Sequence, residues 1–73
     1  MKYYQKLKEL REDRDLTQQD IAEMLYVKQS AISSYERGLR ALSIDNLKAL
    51  CRFYKVSSDY ILDLPKDLDY PER

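Results

Sequence analysis

Histidine and tryptophan are absent from this chain of 73 residues, and cysteine and glycine occur once each. Because Cys51 is the only cysteine, no disulfide can form within the chain. A structural zinc site is nearly excluded as well, since such sites use several cysteine and histidine ligands. One glycine and two prolines leave few residues that interrupt a helix, and no segment alternates apolar and polar residues for long enough to indicate a strand. The composition therefore predicts an all-α fold without a metal.

Catalytic chemistry has little support in the residues that remain. Without histidine, Cys51 has no partner base that could activate it as a nucleophile. The chain also has no glycine-rich loop of the kind that cradles a nucleotide phosphate. We therefore expect neither an enzyme nor a cofactor, and no small-molecule substrate is evident. Cys51 is expected to act as a small apolar residue of the core.

Long apolar runs and a net charge are also missing. No apolar run approaches the roughly 18 residues that a membrane span requires, and the first residues lack the pattern of a signal peptide. We therefore expect a cytoplasmic protein that contacts no membrane. Thirteen Lys and Arg residues balance 13 Asp and Glu residues, whereas nucleic-acid-binding domains are often strongly basic. The charges are unevenly placed, however: residues 26–40 carry three cations and one anion, and residues 57–73 carry two cations and five anions.

Apolar periodicity and capping residues predict a compact bundle of five short helices over residues 1–64, followed by a short acidic tail over residues 65–73. Helix one is expected from about Lys2 to Asp13, helix two after the capping residue Thr17, helix three from about Lys28 to Glu36 before Gly38, helix four after Ser43, and helix five from Ser57 to a stop at Pro65. The predicted inner face of helix four comprises Ile44, Leu47, Leu50, Cys51 and Tyr54.

Helices two and three meet the packing requirements of a helix-turn-helix between about Thr17 and Arg37. Two short helices can cross steeply only where a small residue lets the second helix approach, and Ala22 supplies that residue. The six positions that match the pattern are Ile21, Ala22, Leu25, Val27, Ile32 and Tyr35.

The opposite side of helix three would then carry only short polar and cationic side chains. These residues are Lys28, Gln29, Ser30, Ser33, Ser34 and Arg37. Glutamine can pair with N6 and N7 of adenine, serine can donate or accept at either base, and lysine or arginine can serve guanine or phosphate. Such a face can enter a major groove, although an ordinary solvated helix face remains the alternative interpretation of these residues.

The stretch LTQQDIAEMLYVKQSAISSYERG, followed by SIDNLKALCRFYKVSSDYIL, resembles the Cro and phage-repressor (XRE-type) helix-turn-helix family of bacterial and phage transcriptional regulators. The resemblance covers roughly residues 4–64. It implies sequence-specific binding of double-stranded DNA, with the recognition helix at about residues 28–36 in the major groove. Together with the polar face, it gives the candidate DNA-binding residues Gln18, Lys28, Gln29, Ser30, Ser33, Ser34, Arg37 and Arg40.

The same resemblance implies an ion pair between Arg11 of helix one and Glu36 at the end of helix three. Arg11, Ala22 and Glu36 are therefore predicted to be structural residues, and an exposed pair that contributes at most about 1 kcal/mol is the alternative interpretation of Arg11 and Glu36. Two positions depart from the family pattern. Tyr26 stands where the family favours glycine in a left-handed turn, a conformation that costs another residue about 1 kcal/mol. Lys28 stands where a serine or threonine cap is usual.

A second copy of the chain is the other partner that the resemblance implies. In the family, the region matching residues 56–60 meets its two-fold mate, and helix five carries more apolar surface than so small a domain can bury. The predicted dimer interface comprises Val56, Ser58, Tyr60 and Leu64. We therefore expect a weak homodimer. The alternative function is a helical protein-interaction module, such as a regulatory adaptor or an antitoxin-like protein, that uses the same surface for a protein partner.

Overall fold

The computed structural model describes residues 2–62 and residue 64, and within this part of the chain every regular element is a helix. The five helices are α1 (Tyr3–Asp13), α2 (Gln18–Leu25), α3 (Gln29–Glu36), α4 (Ile44–Tyr54) and α5 (Ser58–Leu62). The predicted all-α bundle of five short helices is confirmed. Two predicted boundaries shift by one residue, because Lys2 and Lys28 are N-caps with extended backbone rather than helical residues. The predicted acidic tail and the stop at Pro65 lie outside the described residues.

Side-chain caps determine where three of the helices begin. The Thr17 hydroxyl accepts a hydrogen bond from the backbone N–H of Asp20 (3.1 Å), and the Asp20 carboxylate accepts one from the N–H of Thr17 (2.8 Å). Hydrogen bonding of the Asp20 carboxylate to the backbone N–H of Thr17, and secondly to the Thr17 side chain, lowers the pKa of Asp20 below its ordinary value. The Ser43 hydroxyl caps α4 at the N–H of Asn46, and the Ser57 hydroxyl does the same at the start of α5. Each cap satisfies an N–H group that the helix itself cannot pair.

The core is built from apolar residues of all five helices. Its buried members are Leu7, Leu10, Ile21, Ala22, Leu25, Ala31, Ile32, Tyr35, Leu50, Tyr54 and Ile61. Ala22 has no exposed surface, so the corner where α2 and α3 pack together has no room for a larger side chain. Ile44 departs from its predicted place on the inner face of α4, since its side chain is 76% exposed. The reason is its position as the first helical residue, beyond the part of α4 that the core cluster covers.

The turn between α2 and α3 has the left-handed backbone that the family pattern requires. Tyr26 has φ 58° and ψ 43°, which lets the N–H of Val27 donate to the carbonyl of Ala22 (3.0 Å) and end α2. The tyrosine side chain is 95% exposed. The turn therefore forms although a tyrosine is strained in this backbone conformation, and burial of its ring does little to offset the strain.

Gly38 ends α3 at a position that favours glycine. Its φ is +73°, and an added Cβ would lie 2.6 Å from two ring carbons of Tyr4. The Tyr4 ring thus packs directly on the backbone that follows α3. This contact holds the loop that carries Arg37 and Arg40 against the first turn of α1.

Candidate nucleic-acid interface

A buried ion pair joins α1 to the end of α3. Arg11 donates from Nε to Oε2 of Glu36 (2.7 Å) and from Nη2 to Oε1 (3.0 Å), and its Nη1 donates to the carbonyl of Leu16 (2.8 Å). The predicted pair therefore forms, and because the two side chains are only 11% and 6% exposed, the alternative of an exposed pair is wrong. Hydrogen bonding to Glu36 raises the pKa of the Arg11 guanidinium, although partial burial opposes the shift. A pair this buried is expensive to break, because either partner alone would be an uncompensated charge.

The ion pair continues as a chain of hydrogen bonds to the exposed face of α3. Gln18 donates from Nε2 to Oε1 of Glu36 (3.1 Å), and Gln29 donates from Nε2 to Oε1 of Gln18 (3.5 Å). A carboxylate can only accept hydrogen bonds, so Gln18 must turn its NH2 group toward Glu36 and its carbonyl oxygen toward Gln29. Gln29 in turn keeps its carbonyl oxygen and one N–H free. The buried charge pair therefore determines which way an exposed amide presents its donor and acceptor.

The candidate residues of α3 occupy one continuous side of the helix. Lys28, Gln29, Ser30 and Arg37 are exposed, whereas Ser33 and Ser34 are half-buried. Gln18 is also half-buried, because it lies between Glu36 and Gln29. The start of α3 has neither a side-chain cap nor an acidic residue in its first turn. Its free N–H groups and the positive end of the helix dipole face outward, which favours an anion such as a phosphate.

Arg40 is exposed and lies in the loop after α3. Its guanidinium carbon lies 5.7 Å from the ring centroid of Tyr35, a buried residue of α3. Arg37 is the C-cap of α3 and is exposed. Gly38, which lies between these two cations in sequence, packs against the Tyr4 ring. Sequence reasoning missed Tyr4, since a contact across more than 30 positions leaves no periodic signal.

The residues predicted for the dimer interface lie on a different part of the molecule. Val56 is half-buried, Ser58 is exposed, and Tyr60 and Leu64 are 51% and 43% exposed. Tyr60 is also tied to α1: its carbonyl accepts a hydrogen bond from Nζ of Lys6 (2.9 Å), and that ammonium lies 4.8 Å from its ring centroid. The structure does not bring these four residues together with the polar side of α3.

Other kinds of site find no support within the described part of the chain. It contains no group of three or more His, Cys, Asp and Glu residues placed to hold a metal. The gap inside the core has a volume of about 20 Å³, which is room for roughly one water molecule. None of the described helices combines the length and apolarity needed to cross a membrane.

The chain is similar in sequence to known transcriptional regulators. The family described as "Helix-turn-helix" matches residues 7–61. The chain is 39% identical over 62 residues to the HTH-type transcriptional activator BcrR of Enterococcus faecalis, covering 85% of this chain and 30% of that protein. It is 39% identical over 67 residues to the uncharacterized HTH-type transcriptional regulator YobD of Bacillus subtilis, covering 92% and 60%. A third relative, the HTH-type transcriptional regulator ImmR of Bacillus subtilis, is 40% identical over 57 residues, covering 78% and 45%. The chain therefore spans between 30% and 60% of the length of these relatives.

Two solved structures share the fold. One is the P22 c2 repressor protein in complex with a synthetic operator, with a TM-score of 0.78, 27% identity, and coverage of 85% of this chain and 94% of the other. The second is a transcriptional regulator from Listeria innocua, with a TM-score of 0.84 and coverage of 96% and 65%; at 21% identity, it shows likeness of fold alone. The chain belongs to the helix-turn-helix family, and the predicted resemblance to the Cro and phage-repressor type is confirmed.

Proposed function

We propose that the chain regulates transcription by binding a specific sequence of double-stranded DNA, with α3 in the major groove. The observation that carries the proposal is the hydrogen-bonded chain from the Arg11–Glu36 pair through Gln18 to Gln29. An exposed glutamine that belongs to a solvated face has no need of such orientation. An amide held in one direction is what base recognition requires.

Gln29 is the residue proposed to read a base. Its free carbonyl oxygen can accept from N6 of adenine while its free N–H donates to N7, which is the bidentate pairing that identifies adenine in the major groove. Ser30, Ser33 and Ser34 follow on the same side and contact base edges or phosphates. A reversed glutamine amide would present the wrong pattern, so the direction imposed by Glu36 contributes to the choice of base.

Phosphate contacts would come from the margins of this surface. The residues proposed for them are Gln18, Lys28, Arg37 and Arg40, together with the uncapped N–H groups at the start of α3. Such contacts orient the protein on the duplex without reading its sequence. The neutral net charge of the chain does not oppose this role, because residues 26–40 carry three cations and only one anion.

We further propose that the chain binds its operator as a weak homodimer. One domain offers few phosphate contacts, and two copies on a two-fold operator would place half-sites about 34–36 Å apart. The proposed interface is Val56, Ser58, Tyr60 and Leu64. Sedimentation of the wild type and Tyr60→Ala at two salt concentrations tests this assembly. The wild type should associate more strongly at high salt, which screens the acidic residues of its C-terminal end, and a wild type that stays monomeric on and off DNA would contradict it.

This function places the protein in the cytoplasm, with DNA as its target and without catalysis or a cofactor. Selection of bound sequences from a random duplex pool tests the function. A two-fold related motif containing adenine at a fixed position in each half is the expected result. If no duplex retains the protein even at low salt, the same surface serves a protein partner and the chain is an interaction module instead.

A further inference from the structure

An open groove runs between α4 and the start of α5, away from the proposed DNA contacts. Its volume is about 330 Å³, and its lining residues are Ile44, Leu47, Lys48, Cys51, Arg52, Val56, Ser57 and Ser58. The floor is apolar, and its largest exposed member, Ile44, is 76% exposed. None of these eight residues belongs to the surface proposed to contact DNA.

Two cations stand on the edge of this groove. Lys48 and Arg52 are exposed and lie one turn apart on α4, so they share a side of the helix. Neither forms an ion pair with any residue of the described part of the chain. An apolar floor beside two unpaired cations suits an extended segment that alternates apolar and acidic side chains.

The chain itself contains such a segment. Residues 65–73 have the sequence PKDLDYPER, in which Asp67, Leu68, Asp69 and Tyr70 alternate acidic and apolar residues. This segment lies outside the described residues and follows α5, whose first residue, Ser58, lines the groove. A helix of five residues is only about 8 Å long, and nine extended residues span about 30 Å. The segment is therefore long enough to return to the groove of its own chain.

We propose that residues 65–73 occupy the groove between α4 and α5, with Leu68 and Tyr70 on its apolar floor and Asp67 and Asp69 beside Lys48 and Arg52. A second copy, which is proposed to contact Val56 and Ser58 at the α5 end of the groove, fits the part lined by Lys48 and Arg52 less well. A symmetric contact would bring the same two cations of each copy toward one another, and like charges would oppose it. The segment of the same chain meets both the shape and the charge of the groove.

Cys51 carries the only thiol of the protein, so its rate of alkylation can be used to detect this contact. Cys51 lines the groove and is half-buried, so a segment lying over it would slow its alkylation by iodoacetamide, a neutral reagent. Burial raises the pKa of this thiol, and all rates are therefore compared at one pH. The variant Asp67→Lys with Asp69→Lys should react roughly threefold to tenfold faster than the wild type, since it removes two exposed ion pairs, each of which changes such an equilibrium by at most about fivefold.

A matched control and a rescue separate docking from a general effect of charge. Glu9→Lys with Asp13→Lys makes the same change in net charge at exposed residues of α1 and should leave the rate at its wild-type value. A fourfold variant combines Asp67→Lys and Asp69→Lys in the segment with Lys48→Asp and Arg52→Asp on α4. This variant again has complementary charges, so its alkylation rate should return to the slow wild-type value. Circular dichroism checks that each variant keeps its helical content, because global unfolding would also expose the thiol.

Two results would overturn the proposal. In the first, reversing Asp67 and Asp69 changes the rate no more than the control does. In the second, Cys51 is protected only at protein concentrations at which sedimentation shows a dimer, which would mean that the second copy proposed to contact Val56 and Ser58, and not residues 65–73, covers the groove. The methyl NMR signals of Ile44 and Val56 give a measurement that does not depend on reactivity. They should shift in the Asp67→Lys, Asp69→Lys variant and stay in place in the control.

Discussion

The two sides of this molecule hold their exposed residues in different ways. On the side formed by α2 and α3, Gln18 and Gln29 are connected through hydrogen bonds to the buried Arg11–Glu36 pair. On the side formed by α4 and α5, Ile44 is exposed and Lys48 and Arg52 have no ionic partner among the described residues. The first side is oriented before any ligand arrives, as base recognition needs. The second side has an apolar groove, which we propose is occupied by residues 65–73.

Breaking the Arg11–Glu36 ion pair should change stability the most. The pair joins α1 to α3 and orients Gln18 and Gln29 on the side formed by α2 and α3. Glu36→Ala leaves Arg11 charged and buried, which should lower the free energy of unfolding by about 3–5 kcal/mol, measured by urea denaturation. Glu23→Ala on the exposed side of α2 is the control and should change stability by less than about 0.5 kcal/mol. Equal stabilities of the two variants would show that the pair does not hold α1 to α3.

Overpacking the corner of α2 and α3 should have the next largest effect. Ala22 has no exposed surface, so Ala22→Leu forces a larger side chain between the helices at a cost of about 1–3 kcal/mol. The melting temperature and DNA affinity should fall together, since the same corner sets the position of α3. Ala41→Leu is the control, because Ala41 is exposed in the loop before α4. A normal melt with full binding would mean that the corner tolerates the added volume.

Relieving the strained turn should have the smallest effect on folding and the opposite sign. Tyr26 has a left-handed backbone and a 95% exposed ring, so Tyr26→Gly should stabilise the fold by up to about 1 kcal/mol. Gly38→Ala is the counterpart, because its new Cβ would meet the Tyr4 ring and the φ of +73° disfavours it. Thermal melts should therefore move in opposite directions, and a loss of stability in Tyr26→Gly would show that the tyrosine ring contributes to the fold.

Features carried by local residue patterns could be predicted from the sequence. Thr17, Ser43 and Ser57 each accept a backbone hydrogen bond at a helix start, and Gly38 ends α3 as expected. These signals lie within four residues of the boundary that they determine, so they do not depend on the rest of the fold. The same holds for the polar side of α3, which follows from helical spacing alone.

Features that depend on how helices meet could not be predicted in this way. The family resemblance predicted the pair of Arg11 with Glu36, but its burial results from the packing of α1 against the end of α3, which residue spacing does not reveal. Cys51 packs against the core as expected but is only half-buried, because it also lines the groove between α4 and α5. The hydrogen bonds of Gln18 to Glu36 and Gln29 also depend on the crossing of α2 and α3. Such contacts join residues far apart in the chain, so the local sequence pattern does not predict them.

The central claim is that α3 reads bases through an amide oriented from the core. The most direct test compares Gln29→Ala with Arg40→Ala on the selected duplex and on its single-base variants. Gln29→Ala should weaken binding to the preferred site by roughly 1–3 kcal/mol and abolish the preference for adenine at one position, while Arg40→Ala should weaken all duplexes alike and reduce the dependence on salt. If Gln29→Ala leaves both affinity and preference unchanged, α3 does not read bases and the account is wrong.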